Sequence, residues 1–169
     1  MLSEKMQAAL NDQINMELGA YYTYLSISAH FEAEALKGFA AWMFHHAEEE
    51  MGHAMRIYDF INHRRGRVML KALAAPLASW DTPLAALEDA FAHERKVTKA
   101  INAIVTLARE EGDHATDSFL QWFVDEQVEE EEIVDNIIQK LKLIGDFGPG
   151  LYMLDNELGG SGAEEGAAE

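Results

Sequence analysis

The chain has 169 residues, no cysteine, and 30 acidic against 13 basic side chains, for a formal charge of −17. The missing cysteines exclude disulfides, thiolate zinc sites, iron–sulfur clusters and thiol catalysis, and the charge excludes a phosphate-neutralising nucleic-acid surface, which leaves cations as the natural partners. With 49% hydrophobic residues, the length suits one domain with a real core.

The expected elements are all helices. Ser3 caps a first helix reaching about His30 to Ala33, and a turn at Glu34 to Gly38 leads into a second helix from about Phe39 to His63. Thr82 and Pro83 read as N-cap and first residue of a third helix, which Gly112 closes; Asp113 caps a fourth that runs to Gly145. A short fifth helix is expected near Gly150 to Leu158, making residues 1–158 the folded domain and residues 159–169 a flexible Gly-rich acidic tail. No basic, apolar leader opens the chain and no stretch offers the roughly 18 apolar residues that cross a bilayer, so a cytoplasmic protein is expected.

One connection stands apart. Gly66 to Asp81 contains Pro76 and, at about 3.3 Å per residue, can reach about 50 Å, more than the roughly 39 Å of a 26-residue helix. Two helical hairpins joined by such a crossover form a ferritin-like four-helix bundle.

Each helix carries a 4-3 apolar ladder of the kind that faces a bundle core, and polar residues interrupt each ladder near its middle. In order, the ladders contain Glu17 with Tyr24; His46, Glu50 and His53; Glu94 with Thr98; and Gln127 with Glu130. Their distances from the helix starts place the four acids at one level. Burying four unpaired carboxylates costs several kcal/mol each, and no Lys or Arg falls on the ladders, so a multivalent cation is the expected counter-charge. Carboxylates with one or two imidazoles suit Fe(II), Mn(II) or Zn(II), and Glu50-x-x-His53 aims both groups at one point. The bland alternative is a hydrogen-bonded network that sets helix register. Glu49, Glu126 and Glu129 flank the layer on one side as a candidate metal relay. Off the ladders, His45, His93 and His114 read as surface residues, and His46 as a satisfied core histidine.

The stretches NDQINMELGAYYTYLSISAHF, KGFAAWMFHHAEEEMGHAM, HERKVTKAIN and SFLQWFVDEQVEEE resemble the prokaryotic non-haem ferritins, over about residues 4 to 158. That resemblance implies that Glu17, Glu50 and His53 bind one iron, that Glu50, Glu94 and Glu130 bind a second, and that Gln127 sits beside it. It also implies a third iron site at Glu49, Glu126 and Glu129, with Tyr24 adjacent. The implied activity is a ferroxidase that turns Fe(II) into Fe(III) with O2 or H2O2 and stores the mineral inside a 24-subunit shell. Gln127-x-x-Glu130 departs from the Glu-x-x-His that haem-containing bacterioferritins and rubrerythrins carry on the fourth helix, which disfavours haem although Met51 stands where bacterioferritins place a haem ligand. Two alternatives stay open at this level: a metal-holding cage without oxidase activity, and a di-iron enzyme acting on an organic substrate.

Overall fold

The computed structural model describes residues 1–165. Five helices follow one another: α1 (Glu4–Ala33), α2 (Lys37–His63), α3 (Pro83–Glu110), α4 (His114–Ile144) and α5 (Gly148–Glu165). Three of the expected caps form. Ser3 accepts from Met6 N–H, Thr82 from Ala85 N–H and Asp113 from Thr116 N–H, each satisfying a backbone donor that the first helical turn leaves free.

Helices α1, α2 and α3 end in the same way. A residue just past each end takes a left-handed conformation, Ala35 at φ 61°, Arg65 at 58° and Gly112 at 66°. Paired backbone bonds close each end, for example Leu36 N–H to Phe31 O and Ala35 N–H to Glu32 O. Only Gly112 occupies this conformation without steric cost.

The α2 helix begins at Lys37, two residues before the expected Phe39, and its own N-cap Leu36 offers no side-chain acceptor. Asp155 of α5 supplies one, accepting from Phe39 N–H at 3.0 Å. Gly38 permits that approach, because a Cβ there would stand 1.6 Å from the Asp155 carbonyl oxygen. With Leu154 and Leu158 buried on the bundle, packing outweighs the low helix propensity of the following glycines. The fifth helix therefore runs past the expected limit at Leu158 to Glu165; the end of the expected tail, residues 166–169, lies outside the described residues.

The crossover lies along α1. Backbone groups of Arg67, Met69 and Lys71 bond to the side chains of Gln7, Asn11 and Asn15, and Ser26 donates to Leu77 O further up the same helix. These amide side chains satisfy backbone groups that a structureless segment would otherwise leave to water. The segment thus carries the chain from one end of the bundle to the other, and the second hairpin starts where the first one turned. The architecture is the four-helix bundle with one long crossover and a C-terminal fifth helix that the sequence predicts.

Close packing joins α1 to α2, α3 to α4, α1 to α3 and α5 to α2, whereas no Cα of α2 comes within 8 Å of one in α4 among the described residues. Side chains fill that wider seam. The core divides into two apolar clusters. One, around Phe31, Phe39, Met43, Leu87 and Ile138, lies where α5 docks; the other, around Met6, Leu10, Ile57, Ile101 and Phe123, fills the opposite end. Between them lies a polar layer.

Candidate metal centre

All four ladder carboxylates are in that layer. Glu17, Glu50, Glu94 and Glu130 are 0%, 2%, 1% and 5% exposed, and His53, Gln127 and Tyr24 are buried with them. No Lys or Arg is buried among the described residues.

Ligand atoms from Glu17, Glu50 and His53 lie within 4.8 Å of one another, and those from His53, Glu126 and Glu130 do likewise. His53 Nδ1 stands 3.4 Å from Glu50 Oε2, the convergence expected of an i, i+3 pair on one helix face. Gln13, one turn before Glu17, donates to Glu17 Oε1 at 2.9 Å. The other oxygen, Glu17 Oε2, and Glu50 Oε2 are buried with no hydrogen-bond donor. Burial pushes both carboxyls well above the usual carboxylate range; Glu17 rises further from the Glu50 charge, and Glu50 from Glu94 and Glu130.

Glu94 is held differently. The Tyr24 hydroxyl donates to its Oε1, and Gln127 Nε2 donates to its Oε2 at 3.0 Å and to Thr98 Oγ1 at 3.2 Å. Burial raises the Glu94 carboxyl; the two donors oppose that, and Glu130 adds to it. Tyr24 is itself raised by burial and by the Glu94 charge, which keeps its proton in place as a donor. Glu94 belongs to neither three-donor group.

Glu49, Glu126 and Glu129 do not converge as a trio. Glu49 goes with His46 and Glu130, Glu126 goes with His53 and Glu130, and Glu129 is exposed. Glu126 is raised by burial, with His53 opposing, and by repulsion from Glu130, Glu129 and Glu49. Glu49 is lowered on balance: burial pushes it up, but His46, His45 and His53 outweigh burial.

One histidine departs from expectation. His93 is half-buried rather than on the surface, with its ring centroid 6.0 Å from that of Tyr24. It is lowered by burial and by Lys96, with the Met16 carbonyl opposing. His46 is buried as expected, yet its Nδ1 stands 3.0 Å from Glu49 Oε2 and 3.4 Å from Glu130 Oε2. Burial alone would lower it, but the contacts with Glu130 and Glu49 win and raise it to about 10. Of the other two, His45 is partly exposed beside Glu49 and His114 is exposed.

The sequence matches the family described as a ferritin-like domain over residues 7–144. The chain belongs to the ferritin family. It is 43% identical over 159 residues to a bacterial non-haem ferritin of Bacteroides fragilis, covering 94% of this chain and 99% of that one. A bacterial non-haem ferritin of Staphylococcus aureus is 38% identical, with 94% and 96% covered. Among solved structures, an open-pore ferritin from the archaeon Archaeoglobus fulgidus superposes with a TM-score of 0.93 at 48% identity, over 94% of this chain and 98% of that one. The resemblance read from the motifs is thereby established, and no described helix is long and apolar enough to cross a membrane.

In this ferritin bundle the wide α2–α4 seam leads outward. A pocket of about 510 Å³ opens on the surface beside His53, Glu49 and Glu126, walled by Trp122, over whose ring the Arg56 guanidinium lies at 4.0 Å. Sequence reasoning missed Gln13, whose only signal is its place one turn before Glu17, and the link between Gln127 and Thr98, which depends on how α3 and α4 face each other.

Proposed function

We propose that the chain is a ferroxidase and iron-storage subunit, working in the cytoplasm, that oxidises Fe(II) at a two-iron position in the polar layer and deposits the product inside a shell of about 24 subunits. One observation carries the reading: four carboxylates buried at one level, two of them with oxygens that have no donor, and no buried basic residue to neutralise them. Two divalent cations sharing a bridging carboxylate cancel four negative charges and satisfy the orphaned oxygens.

Glu17, Glu50 and His53 hold one Fe(II), and Glu50, Glu94 and Glu130 hold the other. Each iron gives up one electron; O2 accepts the pair with two protons and departs as hydrogen peroxide. The protein's share is position and charge. Anionic oxygens favour the harder, more highly charged Fe(III), which lowers the cost of oxidation. The Tyr24 hydroxyl and the Gln127 amide orient the Glu94 carboxylate, and Gln127, a weak ligand in place of an imidazole, leaves the second iron free to move on. Glu49 and Glu126, which line the surface pocket, and the exposed Glu129 act as relay carboxylates. The named ferritin relatives support this reading.

The test is stopped-flow absorbance in the near ultraviolet, mixing metal-free protein with about two Fe(II) per chain in aerated buffer. The parent should colour rapidly, and Glu50→Ala should slow the reaction by more than about 100-fold, since even partners beyond the ligands are worth about 10–100-fold. Equal rates for the two proteins would overturn the assignment.

A further inference from the structure

We propose that Arg56 is a positioning residue for the iron centre, acting through Trp122: the guanidinium holds the indole across the α2–α4 seam, and the indole fixes the plane of the His53 imidazole. The inference rests on the reading of the polar layer as an iron site and adds two residues that reading does not use.

The width of the seam creates the need. No Cα of α4 comes within 8 Å of one in α2 among the described residues, so side chains alone set how His53 stands against α4. A histidine ring turns easily about its last torsion, and a metal-binding imidazole needs neighbours that fix its plane. His53 Nδ1 stands 3.4 Å from Glu50 Oε2, but that carboxylate is itself a ligand. The hold from α4 is aromatic. Trp122 meets the imidazole with 5.4 Å between centroids and 75° between planes, and Phe123 meets it at 6.0 Å and 73°.

The two rings are not equally secured. Phe123 is 1% exposed within an apolar end cluster. Trp122 touches Phe123 at 4.8 Å and 86°, yet it is only half-buried and walls the open surface pocket beside His53. Arg56 supplies a further hold, with its Cζ 4.0 Å from the indole centroid. A flat, delocalised guanidinium covers an indole face at little cost in hydration, which suits an exposed position on α2. His53 and Arg56 are three residues apart on α2 and share a face, so one helix grips the same α4 side chain twice.

Arg56 is exposed, so Arg56→Gln removes the cation and leaves the core intact. The parent, Arg56→Gln, Trp122→Leu and the double variant are compared by melting temperature, by the rate of oxidation at about two Fe(II) per chain, and by the visible absorption of bound Co(II). The Co(II) bands report ligand geometry without redox chemistry. Arg56→Gln should melt like the parent and oxidise Fe(II) about 2–5-fold more slowly, the scale of an exposed cation–π contact. Its Co(II) bands should shift in the same direction as those of Trp122→Leu, which should be slower by about 10-fold or more. The double variant should be no slower than Trp122→Leu, because the guanidinium has nothing left to hold. Faster oxidation in Arg56→Gln would mean that its charge merely repels incoming Fe(II), and would overturn the proposal. An unchanged rate, a slower rate with the parent's Co(II) bands, or losses that multiply in the double variant would overturn it as well. Should Trp122→Leu fail to fold, the rate and the bands of Arg56→Gln decide alone. A parent no faster than Glu50→Ala would sink the two-iron reading, whereas a fast parent matched by Arg56→Gln sinks only this one.

Discussion

The ends of this bundle and its middle obey opposite rules. At the ends, Phe31 and Phe39, or Met6, Leu10 and Phe123, interdigitate with less than 2% exposure, and burial stabilises the fold by about 25 cal/mol per Å² of apolar surface. In the middle, four carboxylates occupy positions that the ladders would give to leucine, and burial there costs stability until a cation arrives. The lesson is a division of labour. Two apolar clusters are large enough to hold four helices around a layer that would separate them, and that uncompensated burial is what a bound cation would relieve.

The largest expected effect belongs to the ends. Phe39→Ala removes a ring packed 5.1 Å from Phe31 at the junction of α1, α2 and α5 and should cost about 3–5 kcal/mol, read as a fall of about 10 °C or more in melting temperature. Iron oxidation in the folded fraction should remain near that of the parent. A variant that melts normally would mean that the end clusters do not carry the fold.

The middle should respond with the opposite sign. Glu50→Gln keeps the shape and deletes a charge that burial penalises, so the metal-free protein should gain about 1–2 kcal/mol while rapid oxidation is lost. Destabilisation of the metal-free variant would show that the folded protein stabilises the Glu50 carboxyl rather than penalising it. With Zn(II) present the order should reverse, because the parent gains more from binding.

Acidity sharpens the contrast. Glu17 and Glu50 hold protons in the folded state that the unfolded chain releases above about 4.5, since burial and mutual repulsion raise both carboxyls. The unfolded state then binds fewer protons, so metal-free stability falls as pH rises from there towards the raised folded values. The stability gap between Glu50→Gln and the parent should widen from pH 5.5 to pH 8 and change sign when Zn(II) is added. A gap that does not change with pH would refute the raised carboxyls.

Much of this was legible because it is periodic or local. The ladders mark Glu17, Glu50, His53, Glu94, Gln127 and Glu130 for burial, and the caps Ser3, Thr82 and Asp113 sit where helix starts need acceptors. What escaped depends on contacts between distant segments. Nothing near Leu36 reveals that Asp155 caps α2 from α5, and Gly159 reads as the start of a tail because its close approach to Gly38 of α2 is not a local property. His46 illustrates the same limit inside the site. Its place on the ladder predicts burial and its i, i+3 spacing allows the contact with Glu49, whereas its approach to Glu130 depends on how α2 and α4 face each other.

Asp113 gives the smallest effect and the cleanest opposite to Glu50. It caps α4, accepts from Thr116 N–H at 3.2 Å and from Thr116 Oγ1 at 2.7 Å, and pairs with Arg64 at 3.0 Å. Burial would raise its carboxyl, but Arg64 and Thr116 outweigh burial and lower it. The folded state therefore holds the charged form more tightly than the unfolded chain does. Its stability is present above the ordinary value of 3.8 and is lost as pH falls through the lowered one. Asp113→Ala should cost about 1 kcal/mol at neutral pH, and the cost should shrink on acidification, where that of the Glu50 charge also vanishes. Melting curves of the two single variants and the parent at pH 3, 5.5 and 8 separate the regions. The Asp113 effect grows with pH as a loss and the Glu50 effect grows as a gain. Parallel trends in the two variants would mean that the carboxylates report the shared charge of −17 rather than their own surroundings.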